Sequence, residues 1–244
     1  MTLAWACLGR DEVPPADTWL GAREREILAT LTVPKRRGDW LLGRYVAKHA
    51  LARFEGLVRP KEIDILASND GAPDVYLGEE KLPIHISISH RDDAGACVLA
   101  KGVSVGCDLE SIEPRTPRFV ADYFTPSERV AVEHASPGDR QRLVALTWSA
   151  KESALKVLRV GLRRDTRKVD VRFSRQQAET AGWRALEAYL EPEGVTLHGW
   201  WRQRDHQVLT LMSGGRRGAR PLSPESERAR RRTRSRSQGG NPQE

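Results

Sequence analysis

From Val103 to Glu110 apolar and polar residues alternate without a break, Val103, Val105, Cys107 and Leu109 against Ser104, Gly106, Asp108 and Glu110. A period of two requires a β-strand with one buried face, so Asp108 and Glu110 project together from the other. Further along, Asp139–Arg159 reads as a helix, in which Glu152 and Lys156 are stacked four residues apart. A half-buried strand and a helix that must cover a sheet together point to an α+β fold.

The remaining elements fit that class. A strand at Leu3–Leu8 precedes helices near Pro15–Leu31 and Lys35–Phe54, the second with an apolar stripe of Trp40, Leu41, Tyr45, Ala47 and Leu51. Strands follow at Ile63–Ala67, Ile84–Ser89 and Gly95–Ala100. After the Val103–Leu109 strand come helices near Arg118–Phe124, Pro126–His134 and Asp139–Arg159. Strands near Val169–Phe173, Trp183–Tyr189, Thr196–Arg202 and Gln207–Met212 close the pattern. Thr125 ahead of Pro126 and Glu128 predicts a capped helix start. A boundary near Lys101-Gly102 divides residues 1–102 from residues 103–212, each half having helices on a small, mostly antiparallel sheet. No sequence repeat links the two.

Composition narrows the setting. No apolar run approaches the roughly 20 residues that cross a bilayer, and the N-terminus lacks the basic start and apolar stretch of a signal peptide. Cys7, Cys97 and Cys107 are odd in number and without C-x-x-C spacing, which predicts reduced core thiols and a cytoplasmic location. Nine Arg and three Glu from Arg216 onward supply +6 of the net charge of +7, so the folded body is almost neutral. Residues 213–244, rich in Gly, Pro, Ser and Arg, read as a disordered tail. That tail suits either contact with nucleic acid or another polyanion, or a solubilising role.

Asp108, Glu110, Glu152 and Lys156 place three carboxylates and one ammonium within reach of a single site. Oxygen donors of this kind suit Mg²⁺. Taken singly, each motif also describes plain surface: a solvated strand edge, or an ion pair contributing a few tenths of a kcal/mol. Three upstream segments add to them. These are Ile86-Ser87-Ile88-Ser89-His90, Gly71-Ala72-Pro73, and Arg36-Arg37-x-Asp39-Trp40-Leu41-Leu42-Gly43-Arg44-x-x-x-Lys48.

In this order the motifs resemble those of the 4′-phosphopantetheinyl transferases of the surfactin type, over roughly residues 30–165. The resemblance implies two pseudo-duplicate halves in one chain acting as a monomer, with the active site in the cleft between them. It also implies transfer of phosphopantetheine from coenzyme A to a serine of an apo acyl or peptidyl carrier protein, with release of 3′,5′-ADP. Asp108, Glu110 and Glu152 match the family's Mg²⁺ ligands. Glu152, directly or through a metal-bound water, matches the base, and Lys156 the pyrophosphate contact, with Lys151 as a supporting one. Ser89 and His90 match phosphate contacts, although Ser87 stands where Asn is common. Arg36, Arg44 and Lys48 match the part that holds the 3′-phosphate and adenosine end. Ala72 replaces a lysine of the family's Gly-Lys-Pro, leaving only a turn to shape the adenine pocket. Phe124 matches a segment bordering the carrier-facing surface, or belongs to the core. The competing readings are a polyanion-binding protein acting through its tail and a coenzyme A-binding protein without catalysis.

Overall fold

The structure, a computed structural model, describes residues 2–55, 59–160, 163–174, 182–215 and 220–221. The N-terminal half contains β1 (Thr2–Gly9), α1 (Ala22–Thr30), α2 (Pro34–Glu55), β2 (Ile63–Ala67), β3 (Pro73–Leu77), β4 (Glu80–Lys81), β5 (Ile84–Arg91) and β6 (Ala94–Lys101). The C-terminal half contains β7 (Val105–Ser111), α3 (Pro117–Tyr123), α4 (Pro126–His134), α5 (Pro137–Val157), β8 (Val169–Phe173), β9 (Arg184–Leu190), β10 (Val195–Arg204) and β11 (Gln207–Ser213). Arg220–Pro221 form a last short strand, β12.

Strand alternation explains the layering. Ala4 and Ala6 of β1 and Cys97 and Leu99 of β6 face α2, which meets them with Val46, Ala47, Ala50 and Leu51. The intervening residues, among them Leu3, Ala96 and Val98, turn the other way. They pack on Cys107, Leu109, Trp200, Leu209 and Leu211 of the second sheet. The far face of that sheet, including Val208 and Met212, packs under α5 through Ala150, Ala154 and Leu155. The molecule is thus stacked as helix, sheet, sheet, helix, and burial of three apolar layers holds it together.

The halves are built alike. The second sheet runs β7-β11-β10-β9-β8; the first half has β1-β6-β5 and, beside β5, the separate sheet β2-β3-β4. The β5–β6 and β10–β11 hairpins both turn through an aspartate in the left-handed region, Asp92 (φ 53°) and Asp205 (φ 51°). A buried ion pair also recurs. Glu24 of α1 accepts from the N–H groups of Gly21 and Ile65 and pairs with Lys48 of α2. Glu128 of α4 accepts from the N–H groups of Thr125 and Val171 and pairs with Lys151 of α5. Each lysine also donates to the carbonyl of a strand's first residue, Ile63 or Val169. Duplication is therefore visible in atomic contacts where the sequence shows no repeat.

Three expectations change. The first helix begins only at Ala22, because Trp19 and Leu20 are buried ahead of Gly21, whose N–H is capped by Glu24. Strands β3 and β4 went unpredicted. Arg220–Pro221, expected to lie in a disordered tail, pair in parallel with Thr2–Leu3 of β1. Residues 222–244, with the Arg-rich run, lie outside the described residues. The capped start of α4 holds: Thr125 Oγ1 accepts from Glu128 N–H at 3.3 Å and Glu128 returns the bond at 2.8 Å.

Candidate functional site

The site begins with an unusually close helix–strand contact. A Cβ at Gly106 would stand 2.0 Å from the carbonyl oxygen of Ser153, so only glycine lets α5 lie this near β7. Small hydroxyls complete the contact. Ser149 donates to the carbonyl of Asp108 at 3.1 Å, and Thr210 of β11 meets Ser149 and Ser153 at 2.8 and 2.6 Å. Ser149, Glu152, Ser153 and Lys156 follow the i, i+3, i+4, i+7 face of one helix. Docking of the serines therefore delivers Glu152 and Lys156 to the acidic face of β7.

There Lys156 Nζ lies 2.7 Å from Asp108 Oδ1 and 3.8 Å from Glu152 Oε2, and donates to the carbonyl of Cys107. Burial opposes its charge, but Asp108, Cys107 and Glu152 hold its pKa above the ordinary lysine value. Asp108 Oδ1 also accepts from Ser89 Oγ at 2.8 Å, while its Oδ2 is buried with no hydrogen-bond partner. Glu110 is met by Arg115 at 3.1 Å and approached by Arg91 at 3.8 Å. Burial, and then the charge of Asp108, still push its pKa up to about 7. Burial and Asp108 raise Glu152 in the same way, with Lys156 opposing. In both acids burial is the larger cause and repulsion by Asp108 the second.

A cleft of about 470 Å³ opens beside this cluster, with Lys156 and Ser87 in its wall. One side is the loop Asp70–Asp74 with β5; the other is the start of β7 and the end of α5. The two sheets meet along this seam through side chains. Ser87 Oγ accepts from Cys107 N–H at 3.1 Å and Ser89 Oγ from Leu109 N–H at 3.3 Å, in place of a backbone ladder.

The family model of the 4′-phosphopantetheinyl transferase superfamily matches residues 104–210, which enclose this cluster. The chain is 36% identical over 94 residues to a holo-[acyl-carrier-protein] synthase of Geobacillus sp. (strain WCH70), across 36% of this chain and 78% of that protein. It belongs to the 4′-phosphopantetheinyl transferase superfamily. It is also 28% identical over 123 residues to 4′-phosphopantetheinyl transferase AcpT of Escherichia coli (strain K12), across 50% of this chain and 57% of that protein. The chain thus spans little more than half the length of that relative. A crystal structure of Thermotoga maritima holo-[acyl-carrier-protein] synthase aligns with 49% of this chain and 72% of its own, at 23% identity and a TM-score of 0.33.

Within this superfamily member the expected site residues separate into two groups. Asp108, Glu110, Glu152 and Lys156 come together. Ser89 joins them, but its hydroxyl is committed to Asp108 and to Leu109 N–H, so it orients the acid instead of facing open space. Lys48 and Lys151 do not reach the site. Both are sealed from solvent against Glu24 and Glu128, and donate their remaining protons to backbone carbonyls. Arg44 is half-buried, stacked on Trp40 and donating to the carbonyl of Ile65. Arg36 is exposed in the first turn of α2, and His90 is exposed on the strand face opposite Ser89. Phe124 is fully buried among Val132, Val144 and Trp148, which settles it as core.

Residues to which the sequence reading gave no role complete the arrangement: Gly106, Ser149, Ser153 and Thr210 set the helix height, and Arg91 and Arg115 flank Glu110. The run of small residues at helical spacing, Ser149 and Ser153, was the available signal. Among the described residues no three Asp, Glu, His or Cys side chains stand close enough to hold a metal ion as they are. The expected three-carboxylate ligand set is not preformed. The donor chemistry nevertheless fits a hard cation: desolvated carboxylates of raised pKa and a buried carboxylate oxygen, Asp108 Oδ2, without a partner.

Proposed function

We propose that this chain transfers the 4′-phosphopantetheine group of coenzyme A to a serine hydroxyl of an apo acyl or peptidyl carrier protein, releasing 3′,5′-ADP. One observation carries the reading. Asp108, fixed through one oxygen by Ser89 and Lys156, keeps its other oxygen buried and unpaired beside two further carboxylates and a cleft of nucleotide size. Desolvated carboxylates repel a pyrophosphate unless a cation lies between them.

Asp108, Glu110 and Glu152 would hold Mg²⁺, which when bound neutralises phosphoryl oxygens and orients the electrophilic phosphorus. Ser89 and Lys156 restrict Asp108 to one orientation. Lys156, which also lines the cleft, offsets charge that grows on the departing 3′,5′-ADP. Glu152 is the group to take the serine proton. It does so directly or through an intervening water, with Lys156 3.8 Å away. The serine oxygen forms the new P–O bond as the bond to the ADP oxygen breaks, and the proton leaves through Glu152. The Gly71-Ala72-Pro73 turn, in the cleft wall, shapes the nucleotide end by backbone alone.

The test is mass spectrometry of several apo carrier proteins incubated with coenzyme A and Mg²⁺. Gain of one phosphopantetheine per carrier serine is expected. No gain on any carrier overturns the proposal.

A further inference from the structure

Helix α5 ends in a way that its backbone alone does not favour. Val160 N–H bonds back to the carbonyl of Leu155 and Arg159 N–H to that of Lys156, closing the helix with Arg159 in the left-handed region at φ 57°. Glycine is the residue that suits this position, since a Cβ there is strained. The arginine side chain has a different use. Its Nε and Nη2 grip the two oxygens of Asp70 at 2.7 and 3.0 Å, Nη2 reaches Ser68 Oγ at 2.7 Å, and Nη1 reaches Asp74 Oδ1 at 3.4 Å.

These partners belong to the other half of the molecule. The loop from Ser68 to Asp74 is internally braced, with Ala72 N–H on Asp70 Oδ1 and Ser68 N–H on the carbonyl of Ala72. These bonds hold the loop as one unit, and Arg159 ties it to the end of α5. Asp70, Asp74 and Arg159 all line the cleft. Arg159 follows Lys156 by three residues and shares the cleft wall with it, so the clamp sits beside the charged cluster.

We infer that Arg159 is a positioning residue that clamps the Ser68–Asp74 loop onto the end of α5 and so fixes the width of the cleft for coenzyme A. The inference rests on the transfer reading for its ligand. The clamp acts on capture of the nucleotide, not on the reacting atoms. Loss of the clamp weakens coenzyme A binding and leaves turnover at saturation in place.

The decisive variant is Arg159→Gly, which removes the side chain while relieving the helix end, so the fold is retained. Hydrogen exchange of residues 68–74 should quicken by about tenfold. The KM for coenzyme A, and its Kd by calorimetry, should rise about fivefold, with kcat changed by less than about twofold, as for loss of a part-exposed ion-pair network. Exchanging the charges, Arg159→Asp with Asp70→Arg, should recover part of the loss. Unchanged exchange overturns the clamp, and so does faster exchange with unaltered KM and Kd. A fall in kcat alone also overturns it. Wild-type protein that neither binds coenzyme A nor modifies a carrier removes the transfer reading and this inference together, whereas an active wild type matched in KM and Kd by Arg159→Gly removes only the clamp.

Discussion

Lys151 Nζ lies 2.8 Å from Glu128 Oε2 with both side chains closed off from solvent, although the very next residue, Glu152, faces the acidic cluster. One helix turn thus carries a structural lysine beside the carboxylate proposed to take the serine proton. Lys151→Ala leaves Glu128 as an unpaired buried acid and should cost about 3–5 kcal/mol of stability. Lys156→Ala also takes the cation from buried Asp108, but from a part-exposed position, so it should cost less, about 1–3 kcal/mol, while losing transfer about 10²–10³-fold. Urea unfolding and carrier modification measured on both variants check the contrast. Equal stability loss in the two would contradict it.

Asp108 offers a second separation. Asp108→Asn keeps the bond from Ser89 and the shape, but removes the charge that pairs with Lys156. Transfer should fall by at least about 10²-fold. Isothermal titration with Mg²⁺ should show weaker binding for Asp108→Asn and Glu152→Gln than for wild type. Unaltered affinity in both variants would remove these residues from the ligand set.

The pH response of the metal-free protein follows from Glu110. Burial and the neighbouring Asp108 raise its folded pKa to about 7, above that of the unfolded chain. A carboxyl shifted this way stabilises the fold below its unfolded pKa, and that contribution is lost as pH rises toward 7. The thermal midpoint of metal-free wild type should therefore fall between about pH 4.5 and 7 relative to Glu110→Gln. Saturating Mg²⁺ should flatten the difference. A parallel pair of curves without metal would refute the assignment.

Most elements were legible because one periodicity dominated each: two for β7, 3.6 for α5. Asp108, Glu110, Glu152 and Lys156 could be brought together from sequence because strand and helix geometry fix which side chains share a face. Lys48 and Lys151 were misplaced because their partners, Glu24 and Glu128, lie more than 20 residues away and leave no local mark. Strand β3 was lost behind the Gly71-Ala72-Pro73 turn, and β4 is only two residues long. The duplication was hidden because it resides in repeated contacts between unlike sequences. Ala4 and Ala6 of β1 face α2 where Gly106 and Asp108 of β7 face α5, so only one half carries the acids.

Gly106 tests whether the helix height matters to the chemistry. The carbonyl of Ser153 is backbone, so it cannot swing away from a new methyl group at 2.0 Å; α5 itself must shift. Gly106→Ala should therefore cost about 1–3 kcal/mol through overpacking. It should also draw Lys156 away from Asp108, because the contact spans two elements whose separation has grown. Transfer should drop well beyond the stability loss, at a temperature where the variant remains folded. Paired measurement of unfolding and carrier modification decides this. A variant destabilised but fully active at low temperature would show that Lys156 and Asp108 tolerate a wider gap.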